Sequence, residues 1–287
     1  MRTEPQALLV SPATLAEHLQ DDNWRIVDCR HNLALPDWGE TEYRKAHIPG
    51  ARFAHLDRDL SAPKSGRNGR HPLPAPAEFA RWLGDQGIGP AHRVVTCDDA
   101  GGMAASRLWW MLRWIGHRDA ALLDGGLQAW VAAGLPMTHL PPSVTRLVYP
   151  SPPVATLRVD IAEVEDNLAR PRFTLLDARA AARYAGTEEK LDSRAGHIPG
   201  ALNRNFQSNL DAGGRFKSPA ALRTEFGALL GERLPQDIVH YCGSGVSACH
   251  NIYAMALAGL EGSRLYAGSW SEWSSDTARP IATCEQP

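Results

Sequence analysis

No stretch of the 287-residue sequence approaches the ~18 consecutive apolar residues that a membrane span needs, so no membrane partner is expected. Charge of one sign is equally scarce. Lys and Arg number 30 against 32 Asp and Glu, a formal net charge of -2. That balance gives no reason to expect a nucleic acid or an anionic surface as partner. The opening residues, MRTEPQALLVSP, lack the basic-then-apolar layout of a secretory signal, and a cytoplasmic location is the expectation. Cysteine is sparse too. The five (Cys29, Cys97, Cys242, Cys249, Cys284) include no C-x-x-C and no cluster with histidine. A disulfide framework is not expected in a chain this long without an export signal, nor is a zinc site. No cofactor or metal is called for, and the thiols are read as free.

What is present is a globular composition, 44% hydrophobic and 22% charged, in a chain long enough for two ordinary domains. One pattern is written twice. Ile26-Val27-Asp28-Cys29-Arg30 precedes Ala46-His47-Ile48-Pro49-Gly50-Ala51, and Leu175-Leu176-Asp177-Ala178-Arg179 precedes Gly196-His197-Ile198-Pro199-Gly200-Ala201. In the same order, Val94-Val95-Thr96-Cys97-Asp98 parallels Ile238-Val239-His240-Tyr241-Cys242. Leu123-Asp124-Gly125-Gly126 with Trp130 then parallels Tyr266-Ala267-Gly268-Ser269 with Trp273. Ordered self-similarity at this scale indicates homologous domains. The expected division is 1–137, a proline-rich connector over 138–155, and 156–287, the prolines favouring an extended, semi-rigid link.

Short β-branched runs alternate with helical patterns in each half, which predicts an α/β fold with mainly parallel sheets flanked by helices. Ser11-Pro12 and Ser218-Pro219 have the form of an N-cap followed by proline at the first helical position. Leu108, Trp109, Met111, Leu112 and Ile115 fall at helical spacing and are assigned to core. Reactive loops of such sheets sit at the carboxyl ends of strands, where Asp98 and Cys242 both fall.

After Cys242 come Gly243-Ser244-Gly245-Val246-Ser247-Ala248 and an apolar helical stretch. A strand thus delivers a cysteine into a glycine-bearing turn that opens a helix. Glycines allow the backbone to curl, and successive N–H groups then point inward as an anion cradle at a helix N-terminus. Such a cradle stabilises a thiolate or a persulfide anion. Cys29, Cys97 and Cys284 are expected to be ordinary buried thiols and Cys249 a structural one. Cysteine phosphatases share the strand–loop–helix layout, but their C-x5-R motif needs an arginine to grip a phosphate dianion. Ala248 stands in that position, and phosphate ester hydrolysis is excluded.

With these residues in place the sequence resembles the tandem-domain rhodanese-like sulfurtransferases over nearly its whole length. The Asp-x-Arg and His-Ile-Pro-Gly-Ala elements of both halves, the Trp-Trp-Met-Leu-Arg helix and the terminal Gly-Ser-Trp-Ser-Glu-Trp carry the resemblance. It implies a C-terminal domain that keeps the nucleophile, Cys242, and an N-terminal domain that has lost it, with Asp98 in its place. It also implies that His47 and His197 are structural. Thiosulfate sulfurtransferases of the family typically read Cys-Arg-Lys-Gly-Val-Thr in the loop and 3-mercaptopyruvate sulfurtransferases Cys-Gly-Ser-Gly-Val-Thr. The neutral loop here, with Ser247 keeping the threonine hydroxyl, is similar to the second branch.

That branch implies substrate binding by the loop (Gly243, Gly245, Val246, Ser247), by Arg183, and by a second cation, either Arg194 or Lys190. It further implies an Asp59–His71–Ser244 relay that shifts protons as pyruvate leaves. The implied chemistry is ping-pong: a small-molecule sulfur donor loads Cys242 as a persulfide, and a thiol, thioredoxin-like protein or cyanide removes the sulfur. Two alternatives stand beside mercaptopyruvate transfer. One is thiosulfate as donor, with sulfite released; the other is a non-catalytic binding or regulatory module.

Overall fold

The computed structural model describes residues 7–150 and 155–284. These divide into two compact units, the second of which takes in residues 63–73 from the first half of the sequence, while residues 212–215 belong to the first. Residues 151–154 of the expected connector lie outside the described residues. Its earlier part packs on the first unit: Leu147 N donates to Gly84 O at 2.9 Å, and the Tyr149 hydroxyl lies 2.9 Å from His117 Nδ1.

The first unit carries the strands β1 (Leu9–Val10), β2 (Trp24–Asp28), β3 (Arg52–Phe53), β4 (Arg93–Cys97) and β5 (Ala120–Leu123). They form one parallel sheet in the order β1-β5-β4-β2-β3. In the second unit β6 (Arg158–Val159), β7 (Thr174–Asp177), β8 (Leu202–Asn203), β9 (Ile238–Tyr241) and β10 (Arg264–Tyr266) repeat that order as β6-β10-β9-β7-β8, again parallel. Parallel sheets are covered on both faces by their crossover helices, so their middle strands read as continuous apolar runs rather than alternating ones. The middle strands β4 and β9 do so, being buried from Val94 to Cys97 and from Ile238 to Tyr241. No helix among the described residues is long and apolar enough to cross a membrane.

Local rules set the helix ends. Ser11 Oγ accepts from Thr14 N and Ser218 Oγ from Ala221 N, each followed by proline at the start of the helix. The helix Met103–Trp114 buries Leu108, Trp109, Met111 and Leu112 as its spacing predicts. Trp130 and Trp273 are fully buried, and each indole N–H donates to a proline carbonyl at 2.9 Å, Pro136 and Pro280 respectively.

The repeated motifs brace the carboxyl edges of the sheets. Arg30 pairs with buried Asp28 and donates to Ala46 O at 2.7 Å; Arg179 pairs with buried Asp177 and donates to Gly196 O at 2.7 Å. Each Asp-x-Arg therefore ties a central strand to the segment before its His-Ile-Pro-Gly box. His47 and His197 stack on Tyr43 and Tyr184 with ring centroids 3.9 and 3.7 Å apart, and each bonds a tyrosine carbonyl through Nδ1. Both histidines are thus used in holding chain to chain.

Candidate active site

β9 ends at Tyr241, and the chain turns at Cys242 into a loop that opens the helix Ser247–Leu257. The turn requires Gly245, whose φ is +78° and whose missing Cβ would sit 2.4 Å from Ala267 O. Curled this way, the loop points amides at the sulfur: Gly245 N lies 3.1 Å and Ser244 N 3.5 Å from Cys242 Sγ. The cradle is fastened on its other side by the turn after β10, where Trp270 N donates to Cys242 O and Ser271 N to Gly243 O, both at 2.9 Å. Ser269 Oγ accepts the Cys242 N–H at 3.1 Å. From below, Cys249 Sγ lies 3.3 Å from Gly245 O, a structural contact within the first helical turn.

The other thiols differ in setting. Burial, with neighbouring negative charge adding to it, pushes the Cys29 and Cys97 thiols well above their ordinary range and leaves them inert neutral groups. Cys284, expected to be buried, is exposed, with Cys284 N donating to Ala185 O at 3.1 Å.

Segment 63–73, which belongs to the second unit, supplies the residues that face the loop. His71 is buried, with Nδ1 2.7 Å from Ser244 Oγ across 173 residues of sequence. Beside it, Arg70 N donates to Ser271 Oγ at 3.0 Å. The Arg70 guanidinium leans over Gly243, where a Cβ would meet Arg70 Nη2 at 2.7 Å and Arg183 Nη1 at 3.3 Å. Two guanidinium groups therefore cover the first loop glycine, and a side chain there would push the ends of both arginines aside.

Arg183 extends from the short helix Ala181–Ala185 and is held by carboxylates. Its Nη2 donates to Glu189 at 2.8 Å and to Asp192 Oδ2 at 3.2 Å, while Arg70 Nη1 donates to Asp192 Oδ1. Burial acts to raise the Glu189 carboxyl, but the Leu191 and Asp192 amides and Arg183 outweigh it and hold the group below the usual range. In Asp192 burial wins over the pull of Arg70, with the Glu189 charge adding to it, and the carboxyl is raised.

Arg194 turns elsewhere: its Nη1 donates to Asp276 O at 2.9 Å and Arg279 O at 3.1 Å, along the C-terminal segment. Lys190, exposed beside it in sequence, shows no ion pair among the described residues. The cation that joins Arg183 over the loop is Arg70, which the sequence reading did not single out, although it immediately precedes His71. Asp59 lies in the first unit, where it accepts from His55 N at 2.7 Å, its carboxyl raised by burial against the opposing hydrogen bond from that amide. Val246 caps the helix, and Ser247 is its first residue.

A cysteine sulfur at the carboxyl end of a parallel strand, held by backbone amides under two guanidinium groups, defines a class of protein: an α/β enzyme of cysteine-borne group transfer. The chain matches the rhodanese-like domain model over residues 11–133 and again over 160–276. It is 48% identical to the "Probable 3-mercaptopyruvate sulfurtransferase" of Pseudomonas aeruginosa over 279 residues, 96% of this chain and 98% of that one. It is 34% identical to the thiosulfate sulfurtransferase of Rattus norvegicus over 276 residues, 92% and 91% of the two chains. Among solved structures, the 3-mercaptopyruvate sulfurtransferase from Leishmania major superposes with a TM-score of 0.82 at 34% identity, over 95% of this chain and 75% of that one. The chain belongs to the rhodanese-like family, carries two tandem copies of its domain, and is a sulfurtransferase of the 3-mercaptopyruvate/thiosulfate type.

Proposed function

We propose that the protein transfers the sulfur of 3-mercaptopyruvate through a persulfide on Cys242 to a small thiol, a thioredoxin-like protein or cyanide. The observation that carries this reading is the Ser244–His71 hydrogen bond of 2.7 Å beside a loop with no charged side chain of its own. The Cys242 thiolate attacks the donor sulfur; the C–S bond breaks and its electron pair leaves on carbon as the enolate of pyruvate. That enolate needs a proton at carbon, and in this reading the Ser244–His71 pair takes up the donor's S–H proton and passes it there. The persulfide that remains is an anion, and the Gly245 and Ser244 amides, 3.1 and 3.5 Å from Cys242 Sγ, favour negative charge on the sulfur they hold. Arg183 and Arg70 meet the donor carboxylate from outside the loop. An acceptor thiolate then attacks the outer sulfur, and Cys242 returns as thiolate.

A second reading, thiosulfate as donor with sulfite as leaving group, is favoured by one specific observation. Two cations, not one, cover Gly243, and two cations suit a dianion. Sulfite needs no proton at carbon to leave, so the two donors make different demands on His71. Steady-state kcat/KM for both donors with cyanide as common acceptor distinguishes them. His71→Ala is expected to lower kcat/KM for mercaptopyruvate by about 100- to 10,000-fold, the range of a lost general acid, and to leave thiosulfate within a few-fold. A wild-type preference for thiosulfate, or an equal loss for both donors in the variant, would overturn mercaptopyruvate as the assigned substrate.

A further inference from the structure

The two guanidinium groups over Gly243 are not free to act as a plain dication. Glu189 and Asp192 stand against them, both nearly buried at the side chain (3% and 6% exposed). The two carboxylates are held differently. Glu189 is pinned: it accepts from the Leu191 and Asp192 amides at 2.9 and 3.1 Å and reaches Arg179 at 3.5 Å as well as Arg183. Among the described residues the side-chain oxygens of Asp192 are bonded only to arginines, Oδ1 to Arg70 and Oδ2 to Arg183. It bridges the very pair that covers the loop. Arg179 is spoken for by buried Asp177 at 2.6 Å, so Arg70 and Arg183 are balanced by Glu189 and Asp192.

We infer that Asp192 is the built-in counter-anion of the donor site, holding Arg70 and Arg183 over the loop when no donor is bound and limiting how much negative charge a donor can bring. The inference rests on the proposed reading of those arginines as the donor's cations, and it deepens that reading into a rule of donor charge. A donor with one carboxylate set away from its sulfur can share the guanidinium groups with Asp192. Thiosulfate carries two charges beside the attacked sulfur and meets a carboxylate on the far side of the same cations. The raised carboxyl of Asp192 agrees with a group that its two arginines compensate incompletely. Asp192 is thus a specificity-determining residue that acts through Arg70 and Arg183, not one that touches the reacting atoms.

The test is the ratio of kcat/KM for thiosulfate to that for mercaptopyruvate, cyanide being the acceptor throughout. Asp192→Asn keeps the shape and removes the charge, and it is expected to raise the ratio about tenfold, as expected of one charge removed near a partly buried site. Arg70→Gln is expected to lower the ratio by a similar factor, and the double variant to return it toward wild type. A carboxylate that only props up the arginines predicts otherwise: both donors weaken together in Asp192→Asn, and an unchanged or lowered ratio overturns the inference. Should that variant fail to fold, Arg70→Gln decides alone, an unchanged ratio again being fatal. The ratio is informative whichever donor the wild type prefers, so a preference for thiosulfate would overturn the proposed donor and leave the Asp192 test intact.

Discussion

The loops that follow β4 and β9 occupy equivalent places in equivalent sheets, and each is tied down by the turn after its neighbouring strand: Leu127 N donates to Asp98 O and Trp270 N to Cys242 O, both at 2.9 Å. They differ in what fills the cradle. Asp98 turns its own carboxylate inward and takes the amides of Ala100, Gly102, Ala104 and Ala105 at 2.8–2.9 Å. Cys242 puts a single sulfur there, at 3.1 and 3.5 Å from its two amides. One loop has its amides taken up by a side chain of the loop itself; the other turns two of them toward a thiol sulfur. The amide cradle is therefore common property of the fold, and reactivity comes from the residue at its base and from what leans over it.

Moving the thiol across tests this most severely. Cys242→Ser is expected to abolish sulfur loading, with turnover falling at least about a thousandfold, as loss of a nucleophile does. Adding Asp98→Cys to that variant should restore nothing. The residue after Asp98 is Asp99, its carboxyl raised first by burial and then by the Asp98 charge, where the second loop has neutral Gly243. A half-buried carboxyl group beside the new thiol opposes the thiolate. Mass spectrometry after incubation with either donor gives the readout, and a gain of one sulfur on the double variant would show that the cradle alone suffices. Asp98→Ala leaves four amides without an acceptor and should cost on the order of 3 kcal/mol of folding stability in urea titrations. A loss below about 1 kcal/mol would mean that the first loop closes without its anion.

Two residues before each cradle the strands differ again. Thr96 in β4 is satisfied, its hydroxyl 3.2 Å from Ala105 O and 3.4 Å from Ala121 O. The equivalent His240 in β9 is fully buried, and neither ring nitrogen has a hydrogen-bond partner among the described residues. Burial pushes its pKa from 6.5 down to about 3. The native state thus holds the neutral ring, while the unfolded chain takes up a proton first as pH falls. Stability from this residue is complete above about 6.5 and is lost progressively toward about 3. Replacing His240 by Leu removes the titration, so the variant should gain on the wild type by about 3 kcal/mol between pH 7 and pH 4 in paired urea titrations. A stability difference that does not change with pH would contradict the assignment.

The sequence disclosed what repeats and what is local. The doubled Asp-x-Arg and His-Ile-Pro-Gly segments, the serine–proline helix starts and the glycine-bearing turn after Cys242 each state their structure within a few residues, because capping, positive φ and strand burial are short-range demands. Arg183 was legible by resemblance. Arg70 was not, since its place over Gly243 depends on how segment 63–73 packs in the second unit, and no spacing in the chain reports that. Arg194 lies closer in sequence and answers to the carbonyls of the C-terminal segment instead. Asp192 was likewise hidden: a carboxylate shared by two arginines has no local signature, only a partner list.

The finest contrast lies in the turns after β5 and β10, where Gly126 and Ser269 hold equivalent positions with φ of +61° and +56°. Glycine takes that left-handed conformation freely; a serine does so at a cost of roughly 1 kcal/mol. Ser269 is the one non-glycine residue with positive φ among the described residues, and its hydroxyl explains the choice. It donates to Tyr266 O at 3.0 Å and accepts the Cys242 N–H at 3.1 Å, a bond that Gly126 cannot offer to Asp98. The strain and the bond have opposite signs and similar size, which orders the variants. Ser269→Gly loses the acceptor but relieves the backbone; Ser269→Ala loses the acceptor and keeps the strain. Alanine, normally the better residue at the start of a helix, should here be the less stable by about 1 kcal/mol in thermal or urea unfolding. Both variants should lower kcat/KM a few-fold, because the Cys242 amide loses its fixed partner. An alanine variant as stable as the glycine one would show that the backbone at Ser269 bears no strain.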